Sequence, residues 1–145
     1  MHDFQKVISN LNEQFYKPNY LPIQDIEEEL QNKKYGAGRF RIQNKIIRFR
    51  VAQQTPKKVG QFVVFWEKDS QHNNQAYMAD TAPDLLIIYT VGSGGMSGQF
   101  IFPKEVLIQQ GILKTDIDSG KMAIRVYPSW DIPTSKQALE TQKWQ

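Results

Sequence analysis

Residues 38–51, Gly38-Arg39-Phe40-Arg41-Ile42-Gln43-Asn44-Lys45-Ile46-Ile47-Arg48-Phe49-Arg50-Val51, alternate apolar and polar side chains on both sides of a polar break. Period-two alternation marks strands with one buried face, and the break at Gln43-Asn44-Lys45 predicts a tight turn, so the segment reads as a β-hairpin. Successive strand side chains point to opposite faces. Phe40 and Ile42 therefore share one face, as do Ile47, Phe49 and Val51, while Arg39, Arg41, Arg48 and Arg50 stand on the other. Four guanidinium groups on one face repel each other unless something anionic lies across them. The identity of that counter-charge is the functional question.

Outward from the hairpin, charge is distributed unevenly. Residues 1–30 carry two lysines and six carboxylates, a local net of −4, whereas residues 31–60 carry nine lysines and arginines and no carboxylate. Residues 61–145 return to a net of −2, and the whole chain to +3. A basic block of this density predicts a positive patch that steers an anionic partner, with a phosphate footprint as the first expectation. The acidic N-terminal segment is the rival partner within the chain itself.

At 145 residues, with 40% hydrophobic and 12% aromatic residues, the sequence fits one folded domain, 1–145, with a helical N-terminal segment over 1–34 packing on it. No apolar run approaches the ~20 residues of a bilayer span, and Met1-His2-Asp3-Phe4 lacks the pattern of a signal peptide, so the expectation is a cytoplasmic protein with no membrane partner. The absence of cysteine excludes disulfides and thiolate chemistry, and two histidines, His2 and His72, exclude a histidine-rich metal site.

The remaining elements follow from periodicity and breakers. Phe4, Val7, Ile8, Leu11 and Phe15 recur at helical spacing behind Asp3 as cap and before Pro18 as stop. A second helix is predicted from Ile26 to about Lys34, with Asp25 as cap, Glu27, Glu28 and Glu29 in its first turn and Gly36 as stop. After a loop over 53–60, Gln61 to Trp66 reads as a strand apolar on both faces, hence central. Ser70 to Ala82 reads as a mobile polar loop. Asp84 to Val91 is the most apolar strand, joined through the glycine-rich 92–98 segment to a strand at Gln99–Phe102. Pro103 opens a helix that Gly111 ends. Met122 to Tyr127 forms another alternating strand, with Ile124 and Val126 inward and Arg125 and Tyr127 outward, and a last helix starts at Pro133-Thr134-Ser135. The expected fold class is α+β (mixed α/β), a single twisted mixed sheet of about five or six strands flanked by helices.

Several strings in this order are shared with a known family. They include Phe49-Arg50-Val51-Ala52, Thr55-Pro56-Lys57-Lys58-Val59-Gly60-Gln61-Phe62-Val63 and Gly98-Gln99-Phe100-Ile101-Phe102-Pro103-Lys104. Gly120-Lys121, Ile124-Arg125-Val126-Tyr127-Pro128, Trp130-Asp131 and Thr141-Gln142-Lys143-Trp144-Gln145 complete the set. Over roughly residues 35–145 the chain resembles the MepB family of small bacterial proteins, whose namesake is encoded beside a multidrug efflux pump and its repressor. The resemblance implies a restriction-endonuclease-like fold and points towards nucleic acid. Met122 departs from the family pattern, which has a basic residue there.

Nucleases of that fold hold a divalent metal through an aspartate on one core strand and an acid-x-lysine on the next. Here Asp84 heads a strand, but the next offers Gln99-Phe100-Ile101, and Lys104 lies beyond Pro103. A metal-dependent nuclease, with Mg2+ or Mn2+ at Asp84 and an atypical Asp84, Gln99, Lys104 site, is therefore the second expectation. Asp84 has a plainer role open to it, as a hydrogen-bond acceptor at a strand entrance, beside Lys104 or Lys58. The leading expectation is non-catalytic binding of nucleic acid or a nucleotide, without cofactor and with low sequence specificity. Its phosphate contacts would be Arg39, Arg41, Arg48, Arg50, Lys57 and Lys58. Gln61 would read a base edge. Tyr127 beside Arg125, with Trp66 and Trp130, would offer stacking surfaces. A third reading is a protein-interaction module whose basic face docks an acidic surface, including this chain's own Glu27-Glu28-Glu29.

Overall fold

The computed structural model describes residues 3–145; His2 lies outside them. Helix α1 (Phe4–Leu11) begins where the Asp3 carboxylate accepts from the Lys6 backbone N–H at 3.3 Å, and it buries Phe4 and Ile8. The helical path continues through a π turn over Asn12–Tyr16 and a 3-10 turn over Lys17–Asn19, where Pro18 and the left-handed Tyr20 end it.

The predicted second helix is instead a strand. β1 (Gln24–Glu28) pairs antiparallel with β2 (Gly38–Ile42), and β2 with β3 (Lys45–Val51) in the expected hairpin. Glutamate-rich sequence favours a helix locally, but propensity is a weak prior that tertiary context overrides. The overriding context is charge. In the ladder Glu27 faces Arg39 and Gln24 faces Arg41, and Asp25 lies 2.7 Å from Arg41. A strand places these acids along the arginine strand, which a helix dipole arrangement does not. Gly36, expected as a helix stop, has φ 57° in a turn.

β3 pairs in parallel with β8 (Leu85–Val91), and β8 antiparallel with β9 (Ser97–Pro103), giving a five-stranded mixed sheet in the order β1-β2-β3-β8-β9. A second sheet of three strands has the order β10-β5-β4, from β4 (Gln53–Gln54), β5 (Gln61–Val64) and β10 (Ala123–Val126). β5 is thus central, as its two apolar faces implied, but in the smaller sheet. The segment expected as a mobile polar loop contains the two-residue strand β7 (Asn74–Gln75), paired with β6 (Glu67–Lys68), and buries Ala76 and Tyr77. Helix α2 (Lys104–Gln109) follows Pro103, and α3 (Lys136–Trp144) starts where the Ser135 hydroxyl accepts from the Ala138 N–H. The fold is mixed α+β.

Two cores flank the five-stranded sheet. On one face Phe40, Ile42, Ile47, Phe49, Val51 and Ile87 pack against Phe4, Ile8 and Tyr16 from the N-terminal helical run. The far end of the Phe4 ring abuts Gly38, where a Cβ would stand only 2.1 Å from Cζ, so this contact requires glycine. On the other face Leu86, Ile88 and Phe102 pack against Val63 and Val126 of the small sheet, Phe65 just after β5, and Leu107 of α2. The hairpin's arginine face is turned towards this second core.

Candidate nucleic-acid interface

The four hairpin arginines do not form an open basic face. β3 is an interior strand covered on both sides, so the parity that sends Phe49 into one core sends Arg48 and Arg50 into the other. Arg50 is fully buried, and all three of its guanidinium nitrogens are occupied. Nη1 donates to Glu29 Oε1 and to the Phe49 carbonyl, both at 2.8 Å. Nη2 donates to Tyr77 Oη at 2.9 Å and Asn32 Oδ1 at 3.0 Å, and Nε to the Val64 carbonyl at 3.3 Å. Arg48 donates through Nε to Glu29 and lies 3.5 Å over the Tyr77 ring, a cation–π contact. Tyr77 in turn donates to Glu29 Oε2 at 3.2 Å. One carboxylate, one phenol and one amide therefore hold two buried cations. The counter-charge of Arg48 and Arg50 is Glu29 of the same chain.

Arg39 and Arg41, on β2 nearer the sheet edge, are half-buried, and Arg41 is already paired with Asp25. Of the three glutamates suggested as internal partners, Glu29 is bound, while Glu27 and Glu28 are exposed on the edge strand. Burial alone would raise the Glu29 carboxyl, but the Arg50 and Arg48 guanidinium groups outweigh it and hold the pKa below its usual 4.5. A depressed folded-state value stabilises the fold above about pH 4.5, and that contribution is lost as pH falls through the folded value. Glu29→Gln is expected to be less stable at neutral pH and to lose less on acidification below pH 4.5; urea unfolding across that range reads both effects.

The nuclease candidates are dispersed. Leu85 pairs with Pro103 and Tyr89 with Gln99, so Asp84 and Lys104 meet at one end of the β8–β9 ladder. Gln99 lies five residues further along, about 17 Å away at strand rise. The Asp84 carboxylate accepts from the Ile46 N–H at 2.9 Å, and its carbonyl accepts from the Lys104 N–H at 3.0 Å. Gln99 accepts a hydrogen bond from the Tyr16 hydroxyl, whose pKa burial pushes up to about 12. Among the described residues no three His, Asp or Glu side chains gather as metal ligands. Asp84, Gln99 and Lys104 stand too far apart, and offer too few hard oxygen ligands, to fit a divalent metal. Gln61 is likewise removed from base reading: it is buried, and its amide donates to the Val91 carbonyl at 3.0 Å.

Other cations converge elsewhere. The outer face of the small sheet, the loop over residues 55–60 and helix α3 enclose a groove of about 720 Å³. Lys57, Lys58, Lys121 and Arg125 line it, and no aspartate or glutamate does. Phe62, Tyr127 and Trp144, all half-buried, supply its aromatic surface, with Gln110 and Gln137 exposed at its margin. Arg125 holds the loop in place: Nη1 donates to Thr55 Oγ1 at 3.0 Å, and the guanidinium lies over Phe62. Gly60, at φ 87°, allows the Tyr127 ring to approach closely, since a Cβ there would lie 2.6 Å from it. Gln145 closes the far side of β10 by accepting from the Tyr127 N–H and donating to the Arg125 carbonyl.

Of the residues expected to bind, the structure brings Lys57, Lys58, Arg125 and Tyr127 together and leaves the hairpin arginines and Gln61 outside the groove. Lys121 and Trp144 belong to the shared strings, and nothing in their local sequence marks them as site residues. Lys121 precedes β10 by two positions, and only the β10–β5 pairing carries it to the groove. Trp66 sits under Lys68 at 5.2 Å, and Trp130 packs against Gly92 and Gly98; neither lines the groove.

The MepB-like family model matches residues 29–145. A solved crystal structure of MepB superposes with a TM-score of 0.83 at 35% identity, covering 99% of this chain and 93% of that one. A comparison with curated proteins found no match. The chain belongs to the MepB-like family. No helix of the described residues is long and apolar enough to cross a membrane.

Proposed function

We propose that this protein binds nucleic acid without cutting it, holding the phosphate backbone in the groove of Lys57, Lys58, Lys121 and Arg125 rather than on the hairpin face. The observation behind this reading is the sign of the groove: four cations, aromatic surface and no acidic side chain. Lysines and arginines that neutralise phosphates release counterions, so affinity falls with salt in proportion to the contacts made. The nuclease reading has less behind it, because Asp84 and Gln99 stand at opposite ends of their strands. The interaction-module reading is weakened because Glu29, its best internal example, is consumed in the fold.

Titration of labelled oligonucleotides at several salt concentrations tests the proposal. With three or four phosphates neutralised, the slope of log affinity against log salt is expected between about −2 and −4, at ~0.7–0.9 per phosphate. Affinity undetectable at low salt, or indifferent to salt, would defeat it.

A further inference from the structure

A strand at the rim of a sheet leaves half its backbone N–H and C=O groups without a ladder partner. Folded proteins cover, shorten, bend or charge such edges, which otherwise pair with another chain. Most edges here are treated in one of these ways. β10 is closed by the Gln145 side chain, which accepts from the Tyr127 N–H and donates to the Arg125 carbonyl. β4, β6 and β7 are two residues long. β1 is bent by a bulge between Gln24 and Glu27, with Asp25 at φ 53°, and it exposes Asp25, Glu27 and Glu28.

β9 has none of these devices apart from Pro103 at its last position. Its seven residues, Ser97-Gly98-Gln99-Phe100-Ile101-Phe102-Pro103, are uncharged and pair with β8 without a shift of register. The Lys104 N–H bonds the Asp84 carbonyl and the Gly92 N–H the Met96 carbonyl, so the even-numbered positions of β9 face β8. Ser97, Gln99 and Ile101 therefore turn their N–H and C=O groups outward, and no backbone partner meets them among the described residues. Ile101, on the face packed by the N-terminal helical run, is 53% exposed. Exposed Phe15 packs edge-on against Tyr16, whose hydroxyl bonds Gln99.

The absence of charge selects the occupant. A second copy meets β9 without like-charge repulsion, whereas two β1 edges would set carboxylates against carboxylates. Antiparallel pairing about a twofold axis at Phe100 also makes the edge complementary to itself. Gln99 of each chain then exchanges both backbone bonds with Ile101 of the other, and each Ser97 N–H meets a Pro103 carbonyl. The missing Pro103 N–H leaves only a Ser97 carbonyl unpaired at the end of the ladder. On one face the two Phe100 rings stand directly opposite, and on the other the two Ile101 side chains meet diagonally. We infer that this chain forms a twofold dimer through β9, which joins the two five-stranded sheets into one. No residue of β9 lines the groove, so both grooves stay open and the dimer does not rest on the binding proposed above.

Sedimentation equilibrium across a range of chain concentrations, with amide hydrogen exchange read residue by residue, tests the dimer. An interface of one strand pair is small, so a reversible dimer is expected in the micromolar range, with or without oligonucleotide. The Gln99 and Ile101 amides are expected to exchange about tenfold more slowly at the highest concentration than at the lowest. Ile101→Lys, an exposed substitution, is expected to keep the fold and weaken the dimer about tenfold or more by placing like charges beside the axis. The same loss is expected of Ile101→Pro, which deletes an outward N–H without touching the β8 ladder. Glu28→Ala, on the opposite edge of the sheet, is expected to leave the dimer unchanged. A chain that stays monomeric at millimolar concentration would overturn the proposal. So would a dimer whose Gln99 and Ile101 amides still exchange freely, or one that survives both Ile101 variants. Protection of these amides in a monomer by an added valine–threonine repeat peptide would give the edge to another protein's strand and overturn the second-copy assignment.

Discussion

Replacing Arg50 with alanine is expected to destabilise the fold by about 3–5 kcal/mol, the usual cost of removing one partner from a buried, hydrogen-bonded ion pair. Arg50 has no exposed surface, and its loss strips a donor from Glu29, Asn32, Tyr77 and two backbone carbonyls at once. Glu29 keeps donors from Arg48 and Tyr77, but the other acceptors lose a partner in a buried or half-buried site. The substitution also separates three pieces of chain that the guanidinium joins: the turn after β1, strand β3 and the segment bearing Tyr77. Arg41→Ala is the contrast. It removes an equivalent charge from the same hairpin face but from a half-exposed pair with Asp25, where a cost below about 1 kcal/mol is expected. Urea unfolding of both variants measures the difference. If Arg50→Ala unfolds like the parent protein yet loses nucleic-acid affinity, the buried reading of the hairpin is wrong.

Replacing Lys57, Lys58 and Lys121 together with alanine is expected to lower oligonucleotide affinity by about two orders of magnitude at 0.1 M salt. Each phosphate contact contributes ~0.7–0.9 to the salt slope, so at a salt concentration tenfold below the 1 M reference each is worth nearly a factor of ten. The salt slope should fall by about 2 in the same variant. All three lysines are exposed and none forms an ion pair among the described residues, so stability should change little. Unchanged affinity with an unchanged slope would place the ligand elsewhere on the protein.

The two expectations divide the basic block of residues 31–60 into parts with different roles, a division the sequence could not make. Arg48 and Lys58 contribute equally to a local charge of +9. What separates them is that Arg48 lies on a strand with neighbours on both sides, while Lys58 lies in a loop. The strand period showed that the arginines share a face, but not that a second sheet would cover that face. The element covering it includes Tyr77, in a segment whose polar composition suggested a mobile loop. Its order comes from a phenol meeting Arg50 and Glu29, groups 27 and 48 residues away. That β1 is a strand where its local sequence favours a helix has the same origin. Glutamates at 27–29 satisfy a helix dipole as well as they satisfy a row of arginines, and local sequence contains no term that chooses between them.

What the sequence by itself determined is what depends on near neighbours. The hairpin and its turn, the first helix with its Asp3 cap, the start of the last helix at Pro133-Thr134-Ser135, the inward Val126 and the family all follow from patterns a few residues long. The partners of the hairpin arginines depended on the tertiary structure, because Coulomb energy depends on distance and burial, and pairings 16 to 21 residues apart in sequence set both. The pairing of β10 with β5 brings Lys121 and Arg125 to the loop of Lys57 and Lys58, and the same packing closes over Arg48 and Arg50. The basic hairpin that dominates the sequence is therefore part of the scaffold, and the exposed cations that remain border the groove.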